Sequence, residues 1–423
     1  MKKIMILGAS ILQLPAIEKS IEMGHQCIAI DMDPEAIGFN VPGVIKEVIS
    51  TIDTERVMEA AERHQIDGIM TLASDMPMMT VAAVCEKMNL PGVTKETALK
   101  ATNKSFMREA LKAAGVPVPI FHIVHDFDEF KASVEDILSK GYKCIVKPAD
   151  NSGSRGISFI KYKTGSHIND SSVDNAIVDR NPSSIAEKGD EFKVAYEYTK
   201  SFSKTGVVLV EECMEGPEVS VETLSVDGEC HVIQITDKIT TEAPYFVEMG
   251  HTQPSRLPKD VQDEIRRVTE AACKAIGITT GPSHTEIKIT KDGPKIVELG
   301  ARLGGDNITT FLVPLSTGVD MVECCIRLAL GEKADITPKK EKGSAIRYFK
   351  NDVGLITGIN GVDEAGNSEG IVNVTIVHDV GETAKEIRSS NDRVGFVIAE
   401  GNDADDAETK CEKALSCISV EIK

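Results

Sequence analysis

The sequence has no tryptophan and only 4% aromatic residues, and its 47 Lys and Arg fall short of its 66 Asp and Glu, a formal net charge of −19. A pI near 5.0 argues against nucleic acid as the main partner, because neutralising phosphates takes clustered Lys and Arg. Anionic membrane surfaces are disfavoured on the same ground. A small anionic ligand is not excluded, since it feels its own site and not the total charge. No apolar run approaches the roughly 18 residues that span a bilayer. The ten cysteines are scattered, none forms CxxC, and most sit in apolar runs such as Lys143-Cys144-Ile145-Val146. They read as buried, reduced thiols of a cytoplasmic protein, not as a disulfide framework or zinc site. The first residues, Met-Lys-Lys-Ile-Met-Ile-Leu-Gly, hold an apolar run of about six residues, shorter than the core of a signal peptide. They read as a buried first strand.

What is present is a chain of 423 residues, long enough for roughly two to three domains and a large core. Strands expected at Lys3–Leu7, Gln26–Ile30 and Gly68–Leu72 alternate with helices at Gln13–Met23, Asp53–His64 and Met76–Met88. That alternation predicts right-handed βαβ units and a parallel sheet. Thr97–Ala114 reads as one helix, stopped by Gly115. Short β-rich segments follow at Tyr142–Lys147, Ile157–Ile160, Val207–Glu212, Glu218–Val226 and Glu229–Asp237, separated by turn residues as in an antiparallel sheet. The polar stretch 163–206 reads as a mobile insertion with one helix near Glu191–Ser203. Pro258–Ile276 is a long amphipathic helix, and Gly318–Leu330 is helical. The last 80 or so residues have the pattern of a small α+β module.

Five constellations can carry chemistry. Gly8-Ala9-Ser10 is a strand-to-helix turn, but the dinucleotide fingerprint needs GxGxxG and only the first Gly is present. Asp31, where such a fold would hold a ribose, is discounted with it. Lys147 ends an apolar strand and is followed by Asn151-Ser152-Gly153-Ser154-Arg155-Gly156. Small residues let backbone N–H groups wrap a polyphosphate, and Lys147 adds a point charge. In Val210-Glu211-Glu212-Cys213-Met214-Glu215-Gly216-Pro217-Glu218, a strand runs into carboxylates at a Gly-Pro break. Its backbone can pair with adenine and a carboxylate can hold ribose hydroxyls.

The fourth constellation is the strongest. His284-Thr285-Glu286 and Glu298-Leu299-Gly300-Ala301-Arg302-Leu303-Gly304-Gly305 lie on strands joined by the turn Lys291-Asp292-Gly293-Pro294. Antiparallel pairing brings Glu286 and Glu298 together, and two carboxylates plus nucleotide phosphates suit Mg²⁺, with Mn²⁺ an alternative. Arg302 can stabilise developing negative charge, and Gly304-Gly305 allows close backbone approach to a ligand. The fifth is Glu248-Met249-Gly250-His251, read as a Gly/Pro-bounded loop.

Taken in order with Lys104 in Thr102-Asn103-Lys104-Ser105, these motifs resemble the ATP-grasp superfamily of carboxylate–amine ligases. Within it the chain resembles L-amino acid (dipeptide) ligases and carbamoyl phosphate synthase-like proteins. The resemblance implies an ATP-grasp fold, α/β and α+β, with an N-terminal Rossmann-like domain (1–96), a lid subdomain with linker helix (97–212), a core with the metal site (213–345) and a C-terminal α+β module (346–423). It implies that Lys104 and Lys147 contact ATP, Ser152, Gly153, Ser154 and Gly156 form a flap, Glu211, Glu212, Cys213 and Met214 hold adenine, and Glu218 holds ribose. Glu286 and Glu298 would bind Mg²⁺, Arg302 would stabilise an acyl phosphate and a tetrahedral intermediate, and Glu248 and His251 would face the substrates. Gly300 stands where many superfamily members have an Asn ligand. The implied reaction is ATP-dependent amide formation from a small carboxylate and an amine, an amino acid among them; a cytoplasmic homodimer is expected on separate grounds, the cysteine usage and the prevalence of dimers. A purine-biosynthetic or biotin carboxylase-type enzyme and a nicotinamide-dependent oxidoreductase are the alternatives.

Overall fold

The computed structural model describes residues 1–151, 155–162, 176–180, 191–242 and 245–423, with the side chains of 162 and 176–180 left aside. Ser152, Gly153 and Ser154, and much of the 163–206 stretch, lie outside the described residues.

Strands β1 (Lys3–Leu7), β2 (Gln26–Asp31), β3 (Ile45–Val48) and β4 (Gly68–Met70) form a parallel sheet in the order β3-β2-β1-β4. The apolar side chains of β1 and β2 are buried on both faces, as sheets covered by crossover helices require. β3, Ile-Lys-Glu-Val at the edge, is too polar to announce itself in the sequence. The turn after β1 is filled by protein. Asp31 Oδ2 accepts from Ala9 N at 2.8 Å. Gln13 packs over Gly8, where a Cβ would meet its side chain at 2.7 Å. A dinucleotide pyrophosphate would need that same space, so the geometry argues against the oxidoreductase alternative.

The helix expected over Thr97–Ala114 is two helices, Lys95–Thr102 and Lys104–Ala113. Asn103 divides them: its backbone is extended (φ −120°, ψ 114°) and its side chain accepts from Ser105 N and Phe106 N, an N-cap inside an otherwise continuous helical pattern. An antiparallel sheet follows, built from β5 (Phe121–Val124), β6 (Cys144–Pro148), β7 (Ser158–Tyr162), β8 (Ala176–Arg180) and β9 (Val208–Glu212) in the order β5-β9-β6-β7-β8. The aromatic pair Phe130 and Tyr196 packs beneath it, ring centroids 5.4 Å apart.

β10 (Glu218–Val226), β11 (Glu229–Thr240), β12 (Glu248–Gln253), β13 (Gly281–Thr290), β14 (Gly293–Gly300) and β15 (Gly343–Tyr348) belong to one eight-stranded sheet. β16 (Gly354–Asn360), β18 (Thr383–Ala384) and β20 (Ser419–Ile422) make a small sheet of their own. β17 (Ile371–Ile376) and β19 (Gly395–Gly401) instead extend the large one, in the order β14-β13-β10-β11-β12-β15-β19-β17. The C-terminal α+β segment is thus continuous with the core sheet. β12 corrects the sequence reading: Glu248–Gln253 is a strand, not a loop. Its Gly and His disguise it, but β11 and β15 bond it on both sides. Gly318 divides the helical stretch before β15 into Val313–Thr317 and Met321–Ala329. A parallel bridge between Leu72 and Leu303 ties the end of the N-terminal sheet to the segment after β14. Among the described residues, no helix is long and apolar enough to cross a membrane, and all ten cysteines are free.

Candidate active site

Two open clefts of about 950 and 1090 Å³ meet along Lys238, Glu248, Glu286 and Glu298. The first is also lined by Lys104, Lys147, Glu211, Glu212, Cys213, Met214 and Glu218. The second takes in His251, Arg302 and Gly305. Gly156 is buried with φ +80°, and a Cβ there would strike Phe202 at 2.6 Å.

Glu286 and Glu298 are register partners across β13 and β14. Glu286 bonds Lys238 Nζ at 2.8 Å, and Glu298 bonds Lys104 Nζ at 2.7 Å. Burial opposes ionisation of Glu286, yet Lys238 and His284 hold its carboxyl well below the usual range. The donor set is two opposed oxygen ligands; among the described residues no group of three or more His, Cys, Asp or Glu could hold a metal. Such a pair fits Mg²⁺, which takes one or two carboxylates and completes its shell with phosphate and water.

The lysines are set by buried ion pairs. Arg108, fully buried, grips Glu211 at 2.6 and 3.2 Å and Val297 O at 2.7 Å. Lys147 Nζ lies 2.6 Å from the same carboxylate. The side chain of Glu211 therefore points at Arg108 and Lys147. Burial raises its pKa, but the two cations outweigh that and lower it to about 2. Burial lowers that of Lys147, with Arg108 and Lys104 acting in the same direction against Glu211. Glu212 bonds Lys295 at 2.6 Å. Lys104 also donates to Asn151 O at 2.8 Å, and its backbone N donates to Ala149 O at 2.7 Å, which fixes the start of its helix beside the end of β6, the strand that carries Lys147.

Lys238 was not legible in the sequence. It leaves β11 and meets Glu218 at 2.6 Å, Glu286 at 2.8 Å and Glu248 at 3.5 Å, carboxylates from three other strands. Burial opposes its charge, but these carboxylates raise its pKa well above the ordinary value. Lys288 adds a contact to Glu218 at 3.1 Å.

Arg302 is held by Asp75 through Nε and Nη2, both at 3.0 Å. Despite burial, that fork raises its pKa. Gly300 makes room for it: a Cβ there would sit 2.8 Å from Asp75 Oδ1 and 3.2 Å from Arg302 Nε. The expectation that Gly304 opens the backbone to a ligand is corrected. A Cβ at Gly304 would meet His284 Nδ1 at 2.7 Å and Glu222 at 2.8 Å, so the glycine accommodates the 2.5 Å His284–Glu222 pair. Gly305, by contrast, lines the second cleft.

His251, 1% exposed, lies 3.3 Å from Asp306 through Nε2. Arg393, from the C-terminal segment, grips Asp306 at 2.9 and 2.7 Å, donates to Glu248 O at 3.0 Å and stacks 3.7 Å over the Tyr348 ring. Burial opposes the charge of Asp306, but Arg393 and His251 keep its carboxyl far below the usual range. Sequence reading assigned no role to Asp75, Asp306 or Arg393; Asp306 directly follows Gly304-Gly305, Asp75 and Arg393 lie in no motif, and only the folded chain joins them to Arg302 and His251.

The ATP-grasp domain family matches residues 140–310, and L-amino acid ligase C-terminal domain 2 matches residues 347–423. Alanine–anticapsin ligase from Bacillus subtilis is 27% identical over 302 residues, which are 67% of this chain and 58% of that protein. The crystal structure of an L-amino acid ligase from Bacillus licheniformis covers 100% of this chain and 99% of its own, with a TM-score of 0.79 at 22% identity. Phosphoribosylglycinamide synthetase from Anaerococcus prevotii covers 100% of both chains, with a TM-score of 0.76 at 21% identity. These two likenesses establish the fold. Residues 140–310 thus carry an ATP-grasp domain and residues 347–423 an L-amino acid ligase C-terminal domain, and the chain as a whole resembles the L-amino acid ligases.

Proposed function

We propose that the chain is an ATP-dependent carboxylate–amine ligase that joins an amino acid to a second substrate through an acyl phosphate. The observation that carries this reading is the pair Glu286 and Glu298, opposed across two strands where a lysine-lined cleft meets a cleft headed by Arg302. The match of residues 347–423 to an L-amino acid ligase domain supports it over the purine-biosynthetic alternative.

In this reading the substrate carboxylate attacks the γ-phosphate of ATP, and ADP leaves. An amine then attacks the acyl carbonyl, and phosphate leaves. Lys104 and Lys147 contact the phosphates, the Glu211–Met214 segment faces adenine, and Glu218 faces the ribose. Glu286 and Glu298 would hold Mg²⁺, which supplies charge neutralisation at the phosphates. Arg302, oriented by Asp75, faces the oxygen on which negative charge develops. Glu248 and His251 line the substrate side. The chain's contribution is positioning and electrostatics, as in other phosphoryl transfers. A cytoplasmic location belongs to the same proposal and is supported by ten unpaired cysteines.

The test is phosphate release from Mg-ATP across a matrix of amino acids, with mass detection of products. Amide products with stoichiometric ADP are expected. Turnover only with bicarbonate or a ribosylamine would overturn the amino acid reading.

A further inference from the structure

A third open arm, about 860 Å³, reaches the site from the side of the N-terminal domain and shares Glu298 with the nucleotide cleft and both Asp75 and Glu298 with the substrate cleft. Its walls come from the start of helix Met78–Met88, from the end of helix Lys95–Thr102, and from Asp150 and Lys204. Met76, Met79 and Leu99 line it and stand 43, 38 and 37% exposed. Lys204 Nζ rests 3.8 Å from Met76 Sδ at the exposed surface. Asp150 accepts from Ser203 Oγ and from Lys204 N and Thr205 N, which fixes the far wall.

We propose that this arm binds the amine substrate, a primary amine with an apolar substituent, and delivers its nitrogen past Asp75 and Glu298 to the acyl carbonyl. The inference rests on the ligase reading above and adds to it a site and a substrate class. The first cleft gathers Lys104, Lys147, Lys238 and Lys288 and so suits phosphates. The second sets Lys238 and Arg302 beside the carboxylates Glu248, Glu286 and Asp306, and so suits an amino acid, which carries both signs, as the acid to be activated. The departing phosphate occupies the nucleotide side, so the nucleophile must arrive by another route. The inner end of the third arm presents Asp75 and Glu298, already paired with Arg302 and Lys104, so their oxygens offer an arriving amine hydrogen-bond acceptors without an unneutralised charge. Its outer wall offers two thioethers and a leucine, adaptable apolar contacts for a side chain. The ammonium gives up one proton to solvent and becomes the neutral nucleophile. Its nitrogen bonds the carbonyl carbon, the bond from that carbon to the phosphate oxygen breaks with its electron pair on phosphate, and the second proton leaves to phosphate or solvent.

Amino acid amides test this directly, because a blocked carboxyl leaves them only the amine role. Glycinamide, L-alaninamide, L-leucinamide and L-methioninamide are compared on the full chain, with Mg-ATP and an acid active in the matrix screen. We expect kcat/KM to rise about tenfold or more from glycinamide to L-leucinamide, the scale of discrimination one apolar pocket gives. Met79→Asp should flatten the series by raising the KM for L-leucinamide and not that for ATP or the acid, and Leu99→Ala should do so more mildly. Equal kcat/KM for glycinamide and L-leucinamide, or an increase in the acid KM instead, overturns the assignment of the arm. Absence of acid-dependent phosphate release with every amine overturns the ligase reading itself, and the arm's role with it.

Discussion

Glu286 and Glu298 face each other across two antiparallel strands, and each is bonded by a lysine from a different part of the chain: Lys238 at 2.8 Å and Lys104 at 2.7 Å. The two lysines thus sit on the carboxylates that would hold Mg²⁺, so phosphate, metal and lysine compete for the same few ångströms. Glu298→Gln keeps the shape and removes the charge. Phosphate release should fall about a hundredfold or more, the cost of losing one preorganised electrostatic partner, while the melting temperature stays close to that of the parent. Full activity in this variant would contradict the assignment.

Asp75 and Arg302 form a fork that only a glycine at 300 can accommodate. Gly300→Ala should therefore displace Arg302 and lower kcat by about tenfold or more, since small misplacements of a charge-stabilising group are costly. The KM for ATP should hold. Steady-state kinetics with ATP varied separately checks the split.

Gly304→Ala tests a structural role. Its Cβ would fall 2.7 Å from His284 and 2.8 Å from Glu222, both buried. Overpacking of this kind costs about 1–3 kcal/mol, read as a lower midpoint in urea.

Glu211 gives the protein a pH signature. Its carboxyl stands near 4.5 ordinarily and is lowered to about 2 by Arg108 and Lys147, against burial. A lowered folded pKa adds stability that is complete above the ordinary value and lost as pH falls through the folded one. The amount is on the order of 3 kcal/mol. Urea unfolding from about pH 5 down to pH 3 should show a shallower loss in Glu211→Gln than in the parent. The variant should also be less stable at pH 7, because Arg108 and Lys147 stay buried without their anion. Parallel pH profiles would contradict this.

The parts of the site that were legible in the sequence are those written locally. Lys147 closes an apolar strand, and Glu286 and Glu298 flank one turn, so β pairing alone brings the two carboxylates together. The expected division at residue 345 falls inside β15 because hydrophobic spacing reports strands but not which sheet they join. β12 was hidden because its strand identity comes from pairing with β11 and β15, not from its own composition. Lys238, Asp75 and Arg393 were hidden for a related reason. Asp75 lies 227 residues from Arg302, and Arg393 lies 87 from Asp306. Such pairs exist only once the sheets have packed.

The origin of the oxygen in the released phosphate tests the central claim most directly. An amino acid substrate labelled with ¹⁸O in its carboxyl group is incubated with Mg-ATP and an amine, and the phosphate is weighed by mass spectrometry. The account predicts one ¹⁸O in each phosphate released, because the carboxylate oxygen that attacks ATP departs with the phosphoryl group. Phosphate carrying no label while amide accumulates would contradict the acyl phosphate route.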